Sequence, residues 1–376
     1  MKKRFVKTHF FHFDYALLIL ALLLFGIGLV FLYSATKSTQ SIRNMLVQSI
    51  AGILGISLMF LVSFLDYRTY LSYQKHIYIG SVLLLLFVLF FGSGKEETGA
   101  NSWIRFGPIG IQPSELVKIL FVLSFSFRIA DAKEAGKLNS IKEILTLFAC
   151  FLVLAGLVVL QNDTGTALVF AFMFATMLFV AGISYKYILA SLLASFIVLP
   201  GAWFLMAPYQ RERILVFLRP ERDALGAGYQ VMQSKIAIGS GELFGRGYLN
   251  GPQNQLAYLP EKDTDFIFAT IGEEFGFFGA VFVVILLFLL ILRCFFVSRK
   301  TDDMAGSLIC VGLGAMFLFH TIENVCMCIG LLPVTGIPLP FLSYGGSSVV
   351  TNFIAVGILQ NIYRGTKEFR FKNYDG

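Results

Sequence analysis

The sequence predicts an all-α fold, a polytopic integral membrane protein with about ten transmembrane helices. Three observations lead there. Hydrophobic residues make up 57% of the 376 and charged residues only 14%, against about 25% charged in an ordinary soluble domain. Apolar runs of roughly 20 residues, each able to cross a ~30 Å hydrocarbon core, recur along the whole chain. Lysine and arginine alternate between crowded and sparse connecting segments, as they do when short cytoplasmic loops retain the positive charge.

Taken in order, the spans fall at about 15–34, 46–65, 76–92, 113–131, 143–160, 164–182, 186–206, 266–292, 304–331 and 347–363. An even number places both termini on one side. With the N-terminus inside, the inner segments hold eighteen basic residues, from Lys2, Lys3, Arg4 and Lys7 to Arg364, Lys367, Arg370 and Lys372. The short outer loops hold four, Lys37, Arg43, Lys95 and Arg105. Both termini are therefore expected in the cytoplasm. The net charge of +7 is mostly a topology signal, and nucleic-acid binding finds no support. The first run follows a basic cluster but lacks an A-x-A cleavage site, so it reads as a retained span rather than a signal peptide.

The chain reads as a single membrane domain, 1–376, without an internal repeat. Two outer segments are longer than the rest: 93–112, and the large outer loop 207–265 between spans 7 and 8. The latter sets Ile214, Leu215, Val216, Phe217 and Leu218 beside Arg211, Arg213, Arg219 and Arg222, a pattern of short interfacial helices. Long loops in compact proteins are usually functional or disordered, so chemistry is expected on the outer face. The cysteines Cys150, Cys294, Cys310, Cys326 and Cys328 sit in or beside apolar spans without metal-like spacing and read as small core residues.

Asp265 leads the candidate site residues. It closes the charged stretch Glu261-Lys262-Asp263-Thr264-Asp265 at the mouth of the eighth span, and a carboxylate at the edge of hydrocarbon costs free energy unless it faces a polar cavity. The plainer alternative is that Asp263 or Asp265 caps the helix. Two forms of that span are open: a helix from near Asp263 carrying Glu273 and Glu274 inward, or a span of 276–297 with 263–275 as its outward extension.

Other constellations have paired readings too. Pro113 suits a first helical turn, and Glu115 and Lys118, three apart, share a face; they form an interfacial ion pair, or Lys118 reaches a phosphate while Glu115 holds it. Trp103 is a headgroup-level anchor or a sugar platform with Arg105 close by. Asp163 suits an N-cap or a site. Around Ser343 and Ser347, before span 10, exposed N–H groups could cradle a phosphate, or small residues could allow close helix packing. His320 and Asn324, four apart, could hydrogen-bond within the bundle. The glycine-rich stretch 239–247 has neither dinucleotide nor P-loop spacing, so no nucleotide is expected.

These segments, in this order, resemble the SEDS family, the FtsW, RodA and SpoVE proteins of bacterial wall synthesis. Gln112–Lys118, Tyr258–Glu274 with its Leu-Pro-Glu…Thr-Asp-Phe-Ile-Phe core, and Gly330–Ser348 carry the likeness, which covers nearly the whole chain. Gly336-Ile337-Pro338-Leu339-Pro340 and Gln253–Pro260 look more like the elongation branch, that of RodA. Asn162 and Thr164 depart from the family's usual Pro and Leu, and Asn101-Ser102 from a common basic residue. The resemblance implies polymerisation of lipid II into peptidoglycan strands at the outer face of the bacterial cytoplasmic membrane, serving cell elongation and rod shape. It implies a class B penicillin-binding protein as transpeptidase partner, other elongation-complex proteins, and undecaprenyl-linked glycan as substrate. Asp265 matches the family's key aspartate and Trp103 its loop tryptophan.

The expected chemistry follows. One base, Asp265, takes the proton of an attacking sugar hydroxyl while undecaprenyl pyrophosphate leaves. Arg43, Arg105, Lys118 and Arg213, with a divalent cation (Mg or Mn) whose ligands the sequence does not identify, offset charge on the pyrophosphate. The rival readings are a lipid II flippase, which needs a polar path across the bilayer, and a non-catalytic scaffold for a transpeptidase.

Overall fold

The structure, a computed structural model, describes residues 13–37, 42–94, 101–106, 109–206, 208–223 and 225–372. Lys2, Lys3, Arg4, Lys7 and Lys95 of the charge argument lie outside them. Long helices occur at every predicted apolar run: α1 (Tyr15–Lys37), α2 (Ile42–Phe64), α3 (Gln74–Phe91), α4 (Pro113–Glu134), α5 (Ile141–Leu160), α6 (Thr164–Ala181), α7 (Tyr185–Leu205), α11 (Ile267–Lys300), α12 (Met304–Cys328) and α13 (Gly346–Lys372). Among the described residues, α1, α2, α3, α5, α6, α11 and α12 are long and apolar enough to cross a membrane. The large loop contributes α8 (Pro208–Leu218), α9 (Ala227–Ser240) and the short α10 (Pro252–Gln255).

Local signals start and stop these helices. Pro113 opens α4. Ser140 caps α5 through the Glu143 N–H, and Asp303 caps α12 through that of Gly306. α6 ends on Gly182 at φ 89°. α12 is largely enclosed and packs on α4, α6 and α11, while α13 lies along α2 and α1 along α11. The α2–α13 approach is close: a Cβ at Gly357 would lie 2.6 Å from the Met59 carbonyl oxygen, the small-residue packing expected inside a bilayer. Arg293 pairs with the buried Asp14 at 2.7 Å, tying α11 to α1 at the end remote from Asp265.

The all-α expectation needs one correction. Two short strands, β1 (Ile104–Phe106) and β2 (Ile109–Ile111), run antiparallel, pairing Ile104 with Ile111 and Arg105 with Gly110. Isoleucines on either side of Gly107-Pro108 in the sequence are a strand-and-turn signal that the count of apolar helical runs passes over.

α11 is broken. Gly276 sits at φ 66°, ψ −162°, and a Cβ there would lie 2.4 Å from the Gly245 nitrogen. Backbone groups freed by such a break must find partners inside a membrane protein. The 242–247 segment supplies them: the Phe277 and Phe278 N–H groups donate to the Glu242 and Leu243 carbonyls, and the Arg246 and Gly247 N–H groups donate to those of Glu273 and Glu274. The glycine-rich stretch therefore splices a helix. Residues 267–275 form a separate half-helix and 277–300 the long arm of α11.

Candidate active site

At the end of the bundle where α4, α6, α11 and α13 begin, the non-helical segment 333–345 makes a floor. α12 holds it from below. Asn324 Nδ2 donates to the carbonyls of Ile337 and Asp265, both at 2.8 Å, and His320 Nδ1 lies 3.2 Å from the Pro338 carbonyl. From the side, Gln48 Nε2 donates to the Ser343 carbonyl at 2.9 Å and its Oε1 accepts from the Gly345 N–H at 3.0 Å. The Tyr344 N–H donates to the Asp263 carbonyl at 2.7 Å.

Asp265 stands over this floor, half-buried. Burial pushes its carboxyl up to about 7, the neighbouring Glu261 and Asp263 add to the rise, and Arg213 of α8 opposes it. The N-cap of α11 is Phe266, with no side-chain cap bond, so neither aspartate is spent on capping. Asp263 instead accepts from Asn44 Nδ2 at 2.8 Å. Asp265 Oδ2 faces the backbone of Gly336, where a Cβ would approach it to 3.4 Å.

Beneath the floor, Lys118 is 1% exposed. Its ammonium lies 2.7 Å from Glu115 Oε1 and 3.0 Å from His320 Nε2. This ammonium is enclosed under Pro338 rather than open at the mouth. Asp163 caps α6, Oδ1 accepting from the Thr166 N–H at 3.0 Å, while Oδ2 accepts from Gln112 Nε2 at 3.0 Å. Ser347 Oγ accepts from the Gln112 N–H at 3.1 Å, and Ser343 Oγ from the Leu339 N–H at 2.8 Å. Both hydroxyls thus join elements, and the N–H groups of Tyr344 and Gly345 are already engaged.

Trp103 bridges to Ser93 through backbone bonds, and a Cβ at Gly110 would lie 3.1 Å from its ring. Arg105 and Arg43 are exposed; Arg43 acts electrostatically on Tyr344 beside the floor. The structure therefore groups Asp265 with Arg213 and the floor, puts Glu115 and Lys118 below them, and leaves Trp103 and Arg105 at the β1–β2 strand pair.

Sequence reasoning missed Glu323 and Thr335. Glu323 is 2% exposed on α12, its carboxylate accepts from the Thr335 hydroxyl, and Asp265 and Arg213 both act on it electrostatically. An acid inside an apolar span was the available signal. Glu273 and Glu274 serve elsewhere. Glu273 accepts from the Gln253 and Asn254 N–H groups at 2.7 and 3.0 Å. Glu274 accepts from the Ser34 hydroxyl and from Asn254 Nδ2. Among the described residues no three His, Cys, Asp or Glu side chains converge as a metal site.

Long apolar helices with a polar cluster at one end, around a half-buried carboxylate, define an integral membrane protein with a carboxylate-centred site. Comparison with known proteins narrows the class. The chain belongs to the FtsW/RodA/SpoVE family, the SEDS proteins, whose profile, described as a cell cycle protein, matches residues 15–368. The peptidoglycan glycosyltransferase RodA of Treponema pallidum is 34% identical, covering 93% of this chain and 97% of its own. The peptidoglycan glycosyltransferase MrdB of Escherichia coli K12 is also 34% identical, covering 95% of each. A chain from a solved peptidoglycan synthase complex, described as coordinating polymerization and crosslinking, superposes with a TM-score of 0.81 at 34% identity, covering 95% of this chain and 99% of that one.

Proposed function

We propose that this chain is a peptidoglycan glycosyltransferase that polymerises lipid II into glycan strands for cell elongation, with Asp265 as its general base. The observation that carries the reading is the condition of Asp265: half-buried, not used as a cap, and raised to about 7, where a carboxyl can both accept and release a proton.

A sugar hydroxyl attacks the anomeric carbon of the strand. The new C–O bond forms as the bond to undecaprenyl pyrophosphate breaks, and the hydroxyl proton passes to Asp265, a transfer worth about 10²–10⁴ in rate. Pyrophosphate leaves without a proton from the protein, so one base suffices where a glycosidase uses two carboxylates. Arg213, Arg105 and Arg43 offset its charge. Trp103 offers a ring to a sugar; Asp163, Ser343 and Ser347 keep the floor and helix starts together. The Glu115–Lys118 pair supports the floor through His320 and Pro338. The described residues do not form a metal cage. Glu261 and Asp263 would hold a magnesium or manganese ion brought by the substrate phosphates, as such ions are commonly held, leaving Asp265 to act as the base. When bound, the ion offsets charge on the leaving group.

Ten crossings, cytoplasmic termini and a site facing the outer side belong to the same reading, supported by the basic-residue asymmetry. So does a class B penicillin-binding protein as partner, supported by the likeness to a chain from a synthase complex. The test is purified Asp265→Asn protein given lipid II and a divalent cation, with and without that partner. No glycan product from a folded variant is expected; wild-type turnover would overturn the reading.

A further inference from the structure

We propose that a cavity between α3, α4 and α5 binds one anionic phospholipid with a hydroxylated headgroup, of the phosphatidylglycerol type, its phosphate on Lys75 and Arg128 and an acyl chain against Phe125 and Leu147. The site is remote from Asp265. α4 begins beside the floor, and Arg128 stands about 15 Å beyond Lys118 along that helix. The cavity measures about 240 Å³, many times the space of one water molecule.

Its body is apolar. Phe125 and Leu147 of the lining are buried, and the two lining hydroxyls turn back onto their own helices: Ser124 donates to the Phe121 carbonyl at 3.2 Å and Thr146 to that of Lys142 at 2.8 Å. The Tyr78 hydroxyl donates to the Cys150 carbonyl at 3.0 Å, strapping α3 to α5 one turn further in. Its rim is cationic. Gln74 and Lys75 form the first turn of α3, the positive end of the helix dipole. Lys75 is exposed. Arg128 meets Glu143 Oε1 through Nε and Nη2 at 2.9 and 2.7 Å and keeps further N–H donors. Both charged residues of the lining are cations, and among the described residues no carboxylate lines it.

Gln74 adds a requirement of its own. Its Nε2 donates to Asp131 Oδ2 at 2.9 Å, which fixes the orientation of the amide, and its Oε1 is buried without a hydrogen-bond partner. A buried acceptor left bare costs free energy, and a headgroup hydroxyl next to the phosphate supplies the donor, which a choline headgroup lacks. The proposed topology turns this end of the bundle to the cytoplasmic leaflet, whose surface is anionic.

The test takes the full chain in detergent micelles doped with phosphatidylglycerol and phosphatidylcholine of the same acyl chains. With both lipids in equal amounts, native mass spectrometry should show one retained phosphatidylglycerol, preferred by about tenfold or more, as charge-assisted hydrogen bonds would give. With each lipid alone, N-ethylmaleimide should alkylate Cys150, half-buried in the lining, severalfold more slowly in phosphatidylglycerol, while half-buried Cys326, outside the cavity, reacts equally in both. Lys75→Ala and Gln74→Leu should each lower the preference severalfold. Arg128→Gln combined with Lys75→Ala and Glu143→Gln, which removes both cations without stranding an acid, should abolish it together with the protection of Cys150. Equal retention of the two lipids, a wild-type preference in either single variant, or a Cys150 that reacts alike in both lipids or in neither overturns the proposal.

Discussion

The rate of strand synthesis should follow the ionisation of Asp265, and pH is the cleanest perturbation because it leaves every side chain in place. Burial and the neighbouring Glu261 and Asp263 raise this carboxyl from 3.8 to about 7, against the pull of Arg213. A base titrating near 7 is about one-tenth ionised at pH 6 and about nine-tenths at pH 8, so the initial rate should fall nearly tenfold between them. An ordinary aspartate would be more than ~99% ionised at both, and the rate would be flat. The assay is glycan formation from lipid II at fixed divalent cation and ionic strength, sampled from about pH 5.5 to 8.5. A rate at pH 6 within about twofold of that at pH 8 would refute the argument, because the environment of Asp265 would then not be controlling its protonation.

The same environment predicts a stability effect of opposite sense. A carboxyl raised in the folded state contributes stability that is full below its unfolded value of 3.8 and is lost as pH rises through about 7. Asp265→Asn should therefore melt higher than wild type at pH 8, with the gap closing towards pH 4. The full shift corresponds to roughly 4 kcal/mol, which partial solvent access reduces to about 1–2 kcal/mol; thermal unfolding in detergent at the two pH values checks both sign and trend. Glu115→Ala leaves the Lys118 ammonium enclosed without its carboxylate and should cost about 3–5 kcal/mol, read as loss of detergent-stable protein. Glu115→Ala with Lys118→Met should recover much of that loss, and a double variant as unstable as the single one would contradict it.

Features set by a residue's immediate neighbours were legible in the sequence. Each long helix occurs at an apolar run, and Pro113 opens α4 and Asp163 caps α6 as their positions suggest. Asp265 stood out because charge at the edge of hydrocarbon needs a reason. The features that escaped depend on partners remote along the chain. The two forms of the eighth span could not be separated because Gly276 breaks the helix only where Gly245 and the 242–247 carbonyls and N–H groups meet it. The 239–247 glycines likewise showed no purpose without that contact. Glu323 gave a signal, yet its pairing with Thr335 and its closeness to Asp265 come from the way α12 meets the floor. Lys118 could be paired with Glu115 from spacing alone, whereas its enclosure beneath Pro338 could not.

The interruption at Gly276 also divides mechanical duties. An unbroken rod leans when bilayer thickness changes and drags whatever is mounted on its tip. Here the tip, 267–275, is moored to the 246–254 segment through Glu273 and Glu274, while the first residues of the shaft, Phe277 and Phe278, are bonded to the Glu242 and Leu243 carbonyls of the same splice. A leaning shaft therefore pulls first on the 242–247 splice, and the tip with the carboxylate beside it is held by bonds of its own.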